Sequence, residues 1–222
     1  MPKIDRRTCL AVVGAGMFWP LAARPSDVGS RRPSARDAIR ARYFPNVVLR
    51  THENRRVRFY DDLVKDKIVI INFMYATCEG ICPGIVLNLR KVQQLLGSRI
   101  GRDIFMYSIT LKPGEDTPAV LKRYAAMHNV GPGWSFLTGG AADIELLRRK
   151  LGFVDPDPAR DADTSNHIGN VRYGNEPRML WAACPGLAAT DFIIESILWM
   201  DPLKKDQSRI DSGRRAVAST KK

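Results

Sequence analysis

Apolar residues fall into two rhythms along this chain, and their alternation predicts an α/β domain. Residues 68–75 and 104–110 are nearly continuous apolar runs, as expected of strands buried on both faces. Val47-Val48-Leu49, Val57-Arg58-Phe59-Tyr60 and residues 134–138 are shorter strand candidates. A polar turn at 51–54 joins the first two, and 61–67 is a charged connection. Helical spacing appears between the strands. Ile85, Leu89, Val92 and Leu96 share one face of a helix predicted from about 83 to 96, with Gly97 as its stop. Asp116-Thr117-Pro118 predicts a helix start, a capping side chain followed by proline, and Val120, Leu121, Tyr124 and Met127 form that helix's inner face. Residues 141–151 form another helix, ended by Gly152. A last amphipathic helix at 191–200 would cover the sheet with Phe192, Ile193, Ile197 and Met200. Residues 155–166 read as a polar loop, and 170–173 with 178–181 as a hairpin turning at Gly174-Asn175. The fold class is α/β, a central sheet with helices on both faces.

The two ends depart from this pattern. Arg6-Arg7-Thr8-Cys9-Leu10 precedes a mostly apolar stretch, 10–22, interrupted by Gly14 and Gly16. That is too short for a spanning helix, which needs roughly 20 residues. Residues 1–23 are expected to be a twin-arginine-type targeting segment with cleavage near Leu21-Ala22-Ala23, implying export to a disulfide-tolerant periplasm. An uncleaved membrane anchor is the alternative. Residues 24–42 read as a linker, 43–202 as the folded domain, and 203–222 as a basic tail expected to be disordered. The net charge of +12 is weighted toward these ends. No basic stripe with interleaved aromatics appears, which argues against nucleic acid. The basic balance reads first as solvated surface, and second as attraction to an anionic membrane surface or an acidic partner.

The chemistry concentrates after the first buried run, in Cys78-Glu79-Gly80-Ile81-Cys82-Pro83. Two cysteines at i and i+4 beside a helix start can close a small disulfide or offer two sulfurs to one metal ion. The helix N-terminus favours the thiolate, which serves both as nucleophile and as ligand. Three intervening residues depart from the usual redox spacing, yet spacing separates the two uses only weakly. A soft thiolate pair suits Cu(I), with Zn(II) as second choice; a four-ligand structural zinc site finds too few clustered ligands. Of the histidines, His128 reads as a helix residue and His52 as an exposed turn residue. His167 follows the polar loop and precedes the hairpin, where a loop could bring it to the dithiol. Asp155, Asp157, Asp161 and Asp163 lack a calcium-loop pattern and read as solvated, as do Arg55, Arg56 and Arg58. Cys184 reads as a buried or unpaired thiol.

The C-x-x-x-C-P segment ending at Pro83 resembles that of the Sco/SenC family of copper-binding, thioredoxin-like proteins. Asn72-Phe73, Ser108-Ile109, Asp116-Thr117-Pro118 with Leu121 and Tyr124, Trp134 through Gly139, and His167 resemble the family in the same order, over roughly 45–200. The resemblance implies a thioredoxin-like fold and one copper ion on Cys78, Cys82 and His167. It also implies a copper-accepting partner, such as a cytochrome c oxidase subunit. Two departures stand out. The family's Asp-Pro after the second-strand Ser is replaced by Thr110-Leu111-Lys112-Pro113, leaving Glu115 or an aspartate of the 155–163 loop as substitutes. The segment after His167 reads Val171-Arg172-Tyr173-Gly174-Asn175-Glu176 instead of a plain apolar strand. The expected function is a periplasmic metallochaperone that releases copper by ligand exchange at an exposed site. The alternatives are a thiol–disulfide oxidoreductase using Cys78 and Cys82, which needs a thiol reductant, and a non-catalytic interaction module.

Overall fold

A computed structural model describes residues 34–163 and 169–201. The targeting segment, the first part of the linker, the basic tail and His167 lie outside the described residues. Strands β1 (Val48–Thr51), β2 (Arg56–Arg58), β3 (Ile68–Met74), β4 (Ile104–Thr110), β5 (Trp134–Gly139), β6 (Asn170–Asn175) and β7 (Leu180–Pro185) form one sheet. Their order is β2-β1-β5-β4-β3-β6-β7. The helices are α1 (Ala35–Tyr43), α2 (Ile81–Leu96), α3 (Pro118–Met127), α4 (Ala141–Lys150), α5 (Pro158–Ala162) and α6 (Thr190–Trp199). β3, β4 and β5 run parallel, joined by crossovers through α2 and α3. β1, β2, β6 and β7 add antiparallel pairings on either side, so the sheet is mixed.

Every residue of β3 is buried, because both its faces are covered. Side chains alternate across the sheet with a period of two. Ile68, Ile70 and Met74 join Ile85, Leu89 and Val92 of α2 and Ile193 and Ile197 of α6. Val69, Ile71 and Phe73 face the other way, toward Leu49, Leu137, and Ile144 and Leu147 of α4. One polar row crosses the centre: the Trp134 indole Nε1–H donates to Ser108 Oγ at 2.9 Å, and the Ser108 hydroxyl donates to Asn72 Oδ1 at 2.7 Å. These three buried groups satisfy one another across three strands.

Several expectations change. The end of the stretch expected as a linker forms α1, started by a reciprocal capping box between Ser34 and Asp37. Its last turn reaches the hairpin, where Arg40 pairs with Glu176 and the following Phe44 packs on Trp181, ring centroids 4.7 Å apart. The charged connection before β3 is a wide helical turn, Phe59–Val64, that buries Phe59, Leu63 and Val64. The hairpin does not turn at Gly174-Asn175. Asn175 pairs with Leu180 and the strands run further. Glu176 is the reason: fully buried, it accepts hydrogen bonds from the Tyr60 hydroxyl (3.0 Å) and the Asp66 N–H (2.9 Å). Gly174 serves as a flat spot for the Trp181 ring, which a Cβ there would meet. The polar loop contains α5, and Asp161 is not solvated. Its carboxylate forms a two-bond pair with Arg148, 2.5 and 2.8 Å, which ties α5 to α4.

Candidate metal centre

The chain leaves β3 at Met74 and makes a tight turn in which the Cys78 N–H donates to the Tyr75 carbonyl at 3.2 Å. α2 starts two residues before the expected Pro83, with Gly80 as its N-cap and no capping side chain. Its first N–H groups are therefore open to another acceptor. The Cys78 sulfur takes that role, with the N–H groups of Gly80 and Cys82 directed at it. Cys82 sits in the first turn of α2, facing the core. The two thiols are not joined in a disulfide and are hydrogen-bonded to each other. Both are buried, at 7% and 1% exposure, rather than lying open as ligand exchange was expected to require. Tyr75, Leu121 and Tyr124 belong to the same packed cluster.

The pair is electrically unequal. Burial works to raise the Cys78 thiol, but the net shift is downward, because Cys82, the two backbone N–H groups and the Tyr75 hydroxyl all donate to its sulfur. Cys82 is pushed up to about 12, first by burial and then by its bond to Cys78. Tyr75 is likewise pushed up to about 12 by burial and by its bond to Cys78. Tyr124 is also pushed up by burial, and then by the charges of Cys82, Cys78 and Asp116. Among the described residues its buried hydroxyl has no hydrogen-bond partner.

The site does have a carboxylate beside it, within the segment read from the sequence as a helix start. Thr117 is the actual N-cap of α3, its Oγ1 accepting from the Val120 N–H at 3.3 Å. Asp116 is buried and turns the other way, accepting from the Ala76 N–H at 3.1 Å and the Thr110 hydroxyl at 2.5 Å. Thr117 and Pro118 suffice to start the helix, so the aspartate ahead of them was the available signal. Glu115, one suggested substitute, is exposed and pairs with Lys112 at 3.7 Å. Lys112 in turn lies over the Tyr75 ring, 4.6 Å from its centroid. Asp163, from the loop that was the other suggested source, lies close enough to Tyr75 for its charge to help hold the phenol proton.

His52 is half-buried, not exposed, and its Nδ1 accepts from the Phe136 N–H at 3.1 Å. His128 closes α3 with its ring against Tyr124, centroids 4.4 Å apart. Among the described residues no three His, Cys, Asp or Glu side chains gather round one point. His167 lies outside those residues, but its described neighbours do not. Asp163 acts on Tyr75 as above. Gly169 lies against Ile81 and Ile85, in and next to the first turn of α2; a Cβ there would come within 2.5 Å of Ile81 Cδ1. Its carbonyl accepts from the Gly186 N–H at 2.7 Å. Cys184 is free and buried on β7, its thiol raised by that burial.

The SCO1/SenC family model matches residues 48–197. The SCO1 protein homolog of Bacillus subtilis (strain 168) is 30% identical over 89 residues, 39% of this chain and 46% of the relative. The chain spans about half the length of the curated relatives it matches. Arabidopsis thaliana ScoI, solved with copper bound, aligns with a TM-score of 0.56 at 17% identity, covering 71% of this chain and 97% of that one. BsSco, described as a member of the Sco family of cytochrome c oxidase assembly proteins with a disulfide switch, aligns with a TM-score of 0.58 at 22% identity, covering 71% and 92%. The fold is thus thioredoxin-like. With its paired thiols at the start of α2 and a family match over more than half of its length, the chain belongs to the SCO1/SenC family.

Proposed function

We propose that this protein binds one copper ion as cargo through Cys78, Cys82 and His167, and passes it to a copper-site protein such as a cytochrome c oxidase subunit. One observation supports the ligand set: both described ends of the segment holding His167 meet residues that neighbour the dithiol in the chain. Asp163 acts on Tyr75, which bonds Cys78, and Gly169 packs against the start of α2. Gly169 is two residues from His167 in the chain, a span of at most about 7 Å, which supports a ligand role for His167. The donor set fits the cargo. Two soft sulfurs suit Cu(I), an added imidazole gives a three-coordinate site, and a further water or backbone ligand would suit Cu(II). Copper-bound Arabidopsis ScoI and the oxidase-assembly description of BsSco support the same assignment. Release proceeds by ligand exchange, with His167 leaving first and the buried sulfurs last.

His167→Ala should weaken copper binding strongly and alter the Cu(II) electron paramagnetic resonance spectrum, while reduction of a model disulfide stays near the parental rate. Unchanged copper affinity in that variant would falsify the three-ligand site. A thiol–disulfide exchange role is favoured by a separate observation, the inequality of the two thiols. Cys78 is the lowered, attacking sulfur and Cys82 the protected one. Oxidation of the pair to a disulfide requires an external thiol–disulfide couple. The site of action is the periplasm, reached through the segment carrying Arg6 and Arg7. Among the described residues no helix is long and apolar enough to cross a membrane.

A further inference from the structure

We propose that Asp116 is a positioning residue for the dithiol: by gripping the Ala76 amide it fixes the 75–78 turn, and with it the place at which the Cys78 sulfur meets Cys82. The inference rests on Cys78 and Cys82 being the working thiols, as proposed above.

The link between β3 and α2 is poorly held by packing. Thr77, Glu79 and Gly80 are exposed, Gly80 adds no side chain, and the turn's own closing bond is a single 3.2 Å contact. Its middle is anchored from the neighbouring connection. Asp116 Oδ2 accepts the Ala76 N–H, two residues before Cys78. The same oxygen accepts the Thr110 hydroxyl, which sets the orientation of the carboxylate. Thr110 Oγ1 accepts from the Lys112 N–H at 2.9 Å, and the Asp116 N–H donates to the Lys112 carbonyl at 2.9 Å. The Leu111 N–H donates to the Met74 carbonyl at 2.8 Å, so the connection after β4 is itself pinned to the end of β3. Asp116 thus stands on a rigid platform and reaches across to a loose one.

No other task explains its burial. Thr117 caps α3, and Pro118 has no N–H to satisfy. A carboxylate is expensive to take out of water unless its bonds matter, yet Asp116 is 1% exposed. Among the described residues, the two donors to its side chain are the Ala76 N–H, which lies in the turn leading to Cys78, and the Thr110 hydroxyl, which orients the carboxylate.

The test needs no copper. In the full chain with Cys9→Ala and Cys184→Ala, the equilibrium with oxidised glutathione is measured: one oxidised glutathione becomes two thiols as the Cys78–Cys82 disulfide forms. That constant reads how well the two sulfurs are placed for each other. Asp116→Ala is expected to lower it by about tenfold and Thr110→Val by about threefold, since each removes part of one buried hydrogen-bonded link. Asp116→Asn keeps an acceptor oxygen and should stay within about twofold of the parent. Circular dichroism checks that each variant is folded. An unchanged constant in Asp116→Ala would overturn the proposal, and so would an Asp116→Asn loss as large as that of Asp116→Ala, which would point to charge rather than grip. Should Asp116→Ala fail to fold, Thr110→Val decides: parental behaviour there overturns the role. A parent protein that binds no copper would refute the proposed function and leave this result standing.

Discussion

Cys78 and Cys82 show how far one residue's surroundings can separate two identical side chains. They lie four residues apart, yet one is drawn toward its thiolate and the other kept from it. The consequence is a pH signature. With Cys9 and Cys184 replaced by alanine, Cys78 should be alkylated by iodoacetamide with a midpoint below the ordinary thiol value, while Cys82 stays protonated and unreactive through neutral pH. Mass mapping of the labelled peptide checks this. Tyr75→Phe removes a donor to the Cys78 sulfur, so the Cys78 midpoint should move up; a midpoint that stays put would mean the tyrosine is only packing. These differences were not legible in the sequence. The spacing and the helix start were, but the Tyr75 hydroxyl, the Gly80 N–H and the depth of Cys82 are products of the turn.

At the scale of elements, the fold is strapped by a few buried ionic contacts between segments distant in sequence. Arg148 holds Asp161, joining α4 to α5, and donates to the Phe153 carbonyl at 2.9 Å. Both side chains are mostly shielded, at 12% and 10% exposure. The guanidinium and the Asp155 N–H hold the Asp161 carboxyl well below the usual carboxylate range. A carboxylate lowered in this way stabilises the fold above its unfolded pKa of about 4 and loses that contribution as pH falls below it. Asp161→Asn should therefore cost about 1–3 kcal/mol at pH 7. The gap to the parent should narrow progressively as pH falls below about 4, which denaturant melts at several pH values would show. Gly174→Ala is expected to destabilise the hairpin by about 1–3 kcal/mol, because the Trp181 ring occupies the space of the new methyl. A parental melting temperature for that variant would show that the ring shifts freely. The strands, the main helices and their order were legible in the apolar rhythm. α1 was obscured because its short capping signal, Ser34 with Asp37, sits in an arginine- and proline-rich stretch. The hairpin turn was misplaced because Gly174 looked like a turn residue when it is a contact residue.

For the whole molecule, copper bound to the folded state and not to the unfolded chain should raise the thermal midpoint in proportion to the logarithm of free copper. The Cys78→Ser, Cys82→Ser double variant should lose that rise while keeping the metal-free midpoint within a few degrees. A rise that survives in the double variant would place the copper elsewhere. Export is tested separately: Arg6→Lys with Arg7→Lys should leave the protein in the cytoplasm, and normal periplasmic yield would refute twin-arginine export.

The sequence by itself determined the α/β alternation, the dithiol at the start of a helix, and the family these features belong to. Each is written in local order, as periodicity, spacing or a contiguous motif. Tertiary structure decided what local order cannot carry. It set Asp116 against the Ala76 N–H, buried Glu176 where a turn was expected, and gave Gly174 to the Trp181 ring. It also brought Asp163 toward Tyr75 and Gly169 against Ile81 and Ile85 at the start of α2. The reason is common to all of these: the decisive partner of each residue lies on a different element, and only the closed sheet brings the two into reach.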